Sequence, residues 1–180
     1  MEIPSSVQIN LYGVFIEVAA TGVLITGAHA QGKSELALNL IHRGHRFIAD
    51  DIVNVTRSSD GHLYGTCPSL TQDFLTIHNL GTINLRKLFG DNAICQSKQV
   101  EIIINLDFNQ DNTENSLLLG SQTTRNIQDI DIPEWAIQNG KERNLSLLVE
   151  TIVKIYHQQQ AGYHAGNEII QRQQLLLNNL

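Results

Sequence analysis

The sequence predicts an α/β protein, a P-loop-containing nucleotide-binding core with a mixed sheet, and three observations carry this. The apolar run Gly22-Val23-Leu24-Ile25-Thr26 leads directly into Gly27-Ala28-His29-Ala30-Gln31-Gly32-Lys33-Ser34, an uninterrupted G-x-x-x-x-G-K-[ST] loop. The loop opens the helix-like Ser34–Ile41, so strand, loop and helix stand in the order that phosphate binding needs. β-rich runs, turn signals and helical periodicities then alternate over the rest of the chain.

Taken in order, Leu11–Val18 and Gly22–Thr26 are β-rich runs separated by Ala19-Ala20-Thr21, which reads as a hairpin feeding the loop. Leu36, Ala37, Leu38, Leu40 and Ile41 give the following helix its apolar side, and Gly44, with Arg43 in the last turn, ends it. Arg46–Ala49 is the next strand and delivers Asp50-Asp51. A second hairpin, Asp51–Thr56 and His62–Gly65, flanks the turn signal Ser58-Ser59-Asp60-Gly61. Phe74–Gly81 reads as a strand entering a loop, Ile83–Gly90 as a short helix, and Gln99–Leu106 as a buried strand. Asp107–Ser116 is polar and acidic, an exposed loop. Long C-terminal helices occupy about 143–180: Leu145, Leu148, Val149, Ile152, Val153 and Tyr156 fall at helical spacing, Gly162 ends that run, and a last helix starts near Ala165. The late leucines of the last helix suit packing on a neighbouring subunit as well as on its own domain.

The chemistry follows from the residue types. Glycines let successive backbone N–H groups turn inward around a phosphate, and the helix N-terminus adds partial positive charge. Gly27, Ala28, His29, Ala30, Gln31 and Gly32 therefore form the cradle, Lys33 reaches the β- and γ-phosphates, and the Ser34 hydroxyl holds Mg²⁺. His29 points to solvent, since the loop binds through its backbone. Two adjacent carboxylates after a strand repel each other and need cations or hydrogen bonds. In a phosphoryl-transfer site one of Asp50 and Asp51 can orient Mg²⁺ and the other can accept the proton of the attacking group.

Composition excludes several classes. With 180 residues, 42% apolar and 17% charged, the chain reads as one globular domain over 1–180. A net charge of −6 with scattered basic residues argues against a nucleic-acid partner, and no window suits a membrane span. The start Met1–Ser6 lacks a secretory pattern, which makes the cytoplasm the expected location. Cys67 and Cys95 lack metal-binding spacing and read as reduced, buried small residues. His42 and His45 flank the helix end and are expected on its last carbonyls; Trp135 is expected as a core or interface anchor.

The stretch from Gly27 through Arg43-Gly44-His45-Arg46 to Asp50-Asp51, together with Leu80–Gly90 and Arg143-Asn144-Leu145, closely resembles the catalytic domain of the bacterial HPr(Ser) kinase/phosphorylase family. The likeness runs from about Leu11 to Gly166 and is that of a short, catalytic-domain-only form. It implies a P-loop fold related to phosphoenolpyruvate carboxykinase and a typically hexameric assembly. The implied activity is ATP- and Mg²⁺-dependent phosphorylation of a serine of HPr, the phosphotransferase-system carrier, or a paralogous carrier. It also implies the reverse, in which inorganic phosphate attacks phosphoserine-HPr and pyrophosphate is released. Carried across, Asp50 is the acid/base and Asp51 its supporting carboxylate and a Mg²⁺ ligand. Lys33 clamps phosphate, Ser34 binds Mg²⁺, and Arg143 belongs to the phosphorolysis direction.

The resemblance breaks at five places. Tyr12 stands where the family has a histidine before Gly13, Thr76 where it has an acidic Mg²⁺ ligand, His78 where it has an arginine, and Leu118 where an arginine precedes Leu119-Gly120; Lys141-Glu142 replace a Pro-Gly. A phenol of pKa near ~10 does not carry protons at neutral pH as an imidazole does. These departures keep two alternatives open: a nucleotide- or phosphate-sensing regulatory protein without catalysis, and a P-loop kinase for another substrate.

Overall fold

Val14–Val18 and Thr21–Thr26 are buried on both faces, as strands covered by packed layers on each side must be. The computed structural model describes residues 8–106, 122–137 and 144–178. In chain order the elements are β1 (Gln8–Tyr12), β2 (Val14–Val18), β3 (Thr21–Gly27), α1 (Lys33–His42), β4 (Arg46–Ala49), β5 (Ile52–Arg57), β6 (Leu63–Thr66), β7 (Phe74–Ile77), β8 (Gly81–Asn84), α2 (Leu85–Phe89), β9 (Ser97–Gln99), β10 (Ile102–Leu106), β11 (Gln122–Ile127), β12 (Ile130–Ile137), α3 (Leu145–Gln160) and α4 (Ala165–Asn178).

The mixed α/β core has a six-stranded sheet in the order β11-β12-β10-β3-β2-β4. The β10–β3 and β10–β12 pairs are parallel and the rest antiparallel. One face carries Val14, Ile16, Val23 and Ile25 against Leu36 and Leu40 of α1 and Val149 and Val153 of α3. The alternate residues Phe15, Leu24 and Ile103 meet Val53, Val55 and Leu63 of a second, four-stranded sheet, β1-β5-β6-β9. The six-stranded sheet is therefore the middle layer, with helices on one side and the second sheet on the other. The hairpin β7–β8 forms a small sheet of its own.

The run Leu11–Val18 is two strands in different sheets, divided at Gly13. A Cβ on Gly13 would stand 2.4 Å from the Ile25 carbonyl oxygen, so the crossing is open only to glycine. Gln99–Leu106 divides likewise, its beginning in β9 and its end in β10. At Gly22 the sheets approach so closely that a Cβ would lie 1.8 Å from the Gln99 carbonyl oxygen. Ile83, expected in a helix, belongs to β8, and the helix begins at Leu85 behind the Asn84 side chain, which accepts from the Lys87 N–H. The strands β11 and β12 were not anticipated; Trp135 of β12 is buried in the core as expected.

Both C-terminal helices form, α3 capped by the Asn144 side chain, which accepts from the Leu147 N–H. No residue of α4 is buried. His42 and His45 do not serve the last carbonyls of α1 through their rings. His42 packs edge-on against Phe89, and His45 sits 2.9 Å from Glu150, which Arg43 also grips with two hydrogen bonds. Cys67 and Cys95 are free thiols, only half-buried. The expected 107–116 loop, Leu118, Lys141, Glu142 and Arg143 lie outside the described residues. Among the described residues no helix is long and apolar enough to cross a membrane.

Candidate active site

The sheet sets the loop's starting point. Gly27 pairs with Leu106 across the parallel β3–β10 ladder, where a Cβ would stand 2.6 Å from the Leu106 carbonyl oxygen. From there the backbone turns through Ala30 (φ 61°) and Gly32 (φ 77°), both left-handed, into α1. The Leu36 N–H closes the first helical turn on the Gly32 carbonyl at 2.9 Å. Lys33 folds back over the loop, its Nζ donating to the carbonyls of Gly27 (3.1 Å) and Ala28 (2.8 Å). Those acceptors are neutral, so an anion in the loop would compete well for the ammonium. His29 is exposed and lines the cavity above the loop.

The end of β4 brings the carboxylates to the loop and then separates them. Asp51 takes a left-handed conformation (φ 63°), the Ile52 N–H donates to the Asp50 carbonyl at 2.8 Å, and the Gly13 N–H donates to the Asp51 carbonyl at 3.1 Å. This tight turn carries the chain from one sheet to the other, and it gives two adjacent side chains different surroundings. Asp50 is 7% exposed. Its carboxylate accepts from the Ser34 hydroxyl at 3.2 Å and, through Oδ2, from the Thr76 N–H at 3.4 Å. Asp51 is exposed and faces the cavity above the loop. Burial, reinforced by the charge of Asp51, pushes the Asp50 carboxyl above the usual range, opposed by hydrogen bonds from Thr76 and Ser34.

The opposite wall comes from β7–β8. Thr76, Ile77, His78, Asn79 and Gly81 line, with the loop and Asp51, a cavity of about 580 Å³. Asn79 (φ 64°) and Gly81 (φ 86°) make the left-handed turns that bend this hairpin over the loop. The Thr76 hydroxyl lies 3.0 Å from that of Thr82, its cross-strand partner. The sequence read Phe74–Gly81 as a strand entering a loop, but the Thr76 amide that holds Asp50 is invisible to motif reading because backbone donors have no residue signature.

The donor set suits Mg²⁺. Ser34 and Asp50 offer hard oxygens on adjoining elements, and Mg²⁺ takes one or two protein ligands and fills the remainder with water and phosphate. The cradle, with Lys33 donating to the Gly27 and Ala28 carbonyls, suits a phosphate chain.

The chain matches the HPr Serine kinase C-terminal domain over residues 5–173. It belongs to that family. An HPr kinase/phosphorylase of Stenotrophomonas maltophilia is 38% identical over 175 residues, covering 94% of this chain and 55% of that protein. One of Xanthomonas campestris pv. campestris is 37% identical over 173 residues, with the same coverage. The chain thus spans about half the length of these curated relatives. The solved HPr(Ser) kinase/phosphatase from Coxiella burnetii superposes with a TM-score of 0.81 at 31% identity, covering 89% of this chain and 98% of that one. The P-loop α/β fold is that of the HPr kinase family.

Against that family's pattern, Thr76 and His78 both line the cavity. Tyr12 ends β1 with 78% of its surface exposed, one residue before the Gly13 amide that holds the Asp51 carbonyl. Arg143, the remaining candidate site residue, is outside the described region.

Proposed function

We propose that this chain catalyses ATP- and Mg²⁺-dependent phosphorylation of a serine of HPr or a paralogous phosphocarrier, and the phosphate-dependent reversal that releases pyrophosphate. The observation that carries the proposal is the convergence on one cavity of the phosphate loop and Asp51, with Asp50 behind it bonded to the loop's own Ser34. The loop amides and Lys33 bind and orient the phosphate chain, and Ser34 with Asp50 would hold Mg²⁺. The bound metal supplies charge neutralisation on the transferring phosphoryl group.

We divide the carboxylates differently from the roles that the resemblance implies. A base must reach the attacking hydroxyl, and Asp51 opens to the cavity while Asp50 is buried behind Ser34. Asp51 therefore takes the serine proton in the forward direction and returns it to the departing serine in the reverse. Arg143 is proposed for the phosphorolysis direction. The proposal extends to the cytoplasm as the site of action and to a homo-oligomer, hexameric by resemblance.

Purified protein is incubated with HPr-type carriers, ATP and Mg²⁺ and the carrier is examined for phosphoserine. Asp51→Asn is expected to lower transfer by about 10²–10⁴-fold, the usual worth of a positioned base, with nucleotide binding intact. Asp50→Asn is expected to weaken Mg²⁺-dependent nucleotide binding. If nucleotide binds and no carrier is modified, the proposal fails and the second reading takes its place. That reading, a nucleotide or phosphate sensor without turnover, is favoured by Thr76, a hydroxyl rather than a carboxylate on the cavity wall.

A further inference from the structure

Between Thr66, which ends β6, and Ser97, which begins β9, the chain leaves the four-stranded sheet, forms β7, β8 and α2, and returns to the neighbouring strand. This excursion carries the cavity wall that includes Thr76, His78 and Asn79. Its two legs are braced away from the sheet by Arg86, whose guanidinium bonds both Asp73 and Asp91. The neck where it leaves and rejoins the sheet has a different composition: one leg begins with Cys67 and the other ends with Cys95-Gln96.

The two thiols face common ground. Thr66 pairs with Ser97 in the antiparallel β6–β9 ladder, so Cys67 stands just past the last pair on one leg and Cys95 stands on the opposing leg, two residues before Ser97. Both line a single cavity of about 170 Å³ with Ile48, Gln72, Ile94 and Gln96, and both pack against the same apolar cluster between the sheets. The Cys95 N–H is held by the Phe47 carbonyl at 2.8 Å, which fixes that leg to β4. Neither thiol is committed elsewhere: the Cys67 Sγ contacts the Thr71 hydroxyl at 3.5 Å, and the Cys95 thiol donates to the Ser97 carbonyl at 3.3 Å, both weak bonds.

We propose that Cys67 and Cys95 are a redox-sensitive pair whose oxidation to an intramolecular disulfide locks the neck of the excursion that carries one wall of the phosphate cavity. With a hydroperoxide as oxidant, the Cys95 sulfur attacks the terminal peroxide oxygen, becomes a sulfenic acid and releases the alcohol, or water from hydrogen peroxide. The Cys67 sulfur then attacks the sulfenic sulfur, and the hydroxide leaves as water with the Cys67 proton. Two thiols lose two electrons and the peroxide gains them. Burial, with Asp73 and Asp50 nearby, raises the Cys67 thiol above its ordinary range, which suits it to the second step, since thiolate character governs the first. The pair is independent of the carrier that the site modifies.

The full chain is treated with hydrogen peroxide, blocked with iodoacetamide and digested, and the peptides are compared before and after dithiothreitol. The expected result is a dithiothreitol-sensitive Cys67–Cys95 cross-linked peptide in monomer-sized protein on a non-reducing gel. Amide exchange in 68–94 is expected to slow at least threefold in the oxidised form. Cys67→Ser and Cys95→Ser, close in size and expected to fold, should each abolish both effects. Thiols that remain alkylatable in the treated wild type, cross-links only between chains, or slowed exchange that persists in the serine variants would each overturn the proposal. Nucleotide binding, read in parallel, tests the phosphate site separately.

Discussion

At the scale of single residues, Asp50 and Asp51 differ by one position in sequence and by burial in space. The left-handed turn at Asp51 (φ 63°) makes that difference. Sequence reading located the pair and its chemistry, and the resemblance made Asp50 the acid/base, but the different burial of the two was not legible, because alternation along a regular strand does not describe a residue in a turn. The division has a measurable cost. Asp50 has a folded-state pKa raised by burial and by Asp51, so the fold favours its protonated form. Stability is then highest below the ordinary carboxylate range of about 4, and falls as pH rises through it toward the raised folded value. Asp50→Asn keeps an acceptor for the Thr76 N–H and removes the buried charge. Its unfolding midpoint is expected to exceed that of wild type at pH 7, with the gap closing below about pH 4, in thermal melts across pH. A midpoint lower at every pH would mean that the Ser34 and Thr76 bonds outweigh desolvation.

At the scale of elements, α1 transmits the position of the loop to the helical layer. Leu40 is fully buried between α1 and the sheet. Leu40→Ala is expected to cost about 2–5 kcal/mol, or roughly 4–20 °C in the midpoint at about 2–4 °C per kcal/mol for a chain of this size, checked by calorimetry. At its far end, α1 meets α3 through Glu150, clasped by Arg43 and His45. Hydrogen bonds from Arg43 hold Glu150 at about 2, below its ordinary 4.5. A depressed carboxylate contributes stability above its unfolded pKa and loses it as pH falls toward the folded one. Glu150→Gln is therefore expected to lower the midpoint slightly at pH 7, and the difference from wild type should vanish between pH 4.5 and about 2. Most elements were legible because apolar spacing and turn signals agreed. The exceptions are physical: Gly13 divides one apolar run between two sheets, Gln99–Leu106 does the same without a glycine, and β11 is an exposed edge strand of polar residues such as Thr123, Thr124 and Asn126 with no apolar alternation to read.

At the scale of the whole molecule, the cavity draws on residues 29–35, 51, 76–79 and 81, while α4 contributes nothing buried to the core. Leu175, Leu176 and Leu177 are all more than 60% exposed, which accords with a helix that finds its partner outside its own domain. Deleting 165–180 is expected to leave the thermal midpoint and nucleotide binding close to wild type while lowering the oligomer mass in sedimentation. Loss of the folded core on deletion would show that α4 has a role within the domain. The phosphate loop, by contrast, is legible from eight residues because its function is local, whereas the wall at Thr76 depends on a hairpin folding back across the sheet.

The parallel pairing of β3 with β10 has a consequence for the order of events during synthesis. β3, from which the loop hangs, has β2 on one side from the start, but its other neighbour is made only when residues 102–106 are added. A nascent chain halted before Leu106 leaves the ribosome contains every residue of the loop, both aspartates and the hairpin wall, yet β3 is still a sheet edge and Gly27 has nothing to pair with. Nucleotide capture by stalled ribosome complexes of increasing length should therefore begin abruptly, once the exit tunnel has released β10, and not when the motif itself emerges.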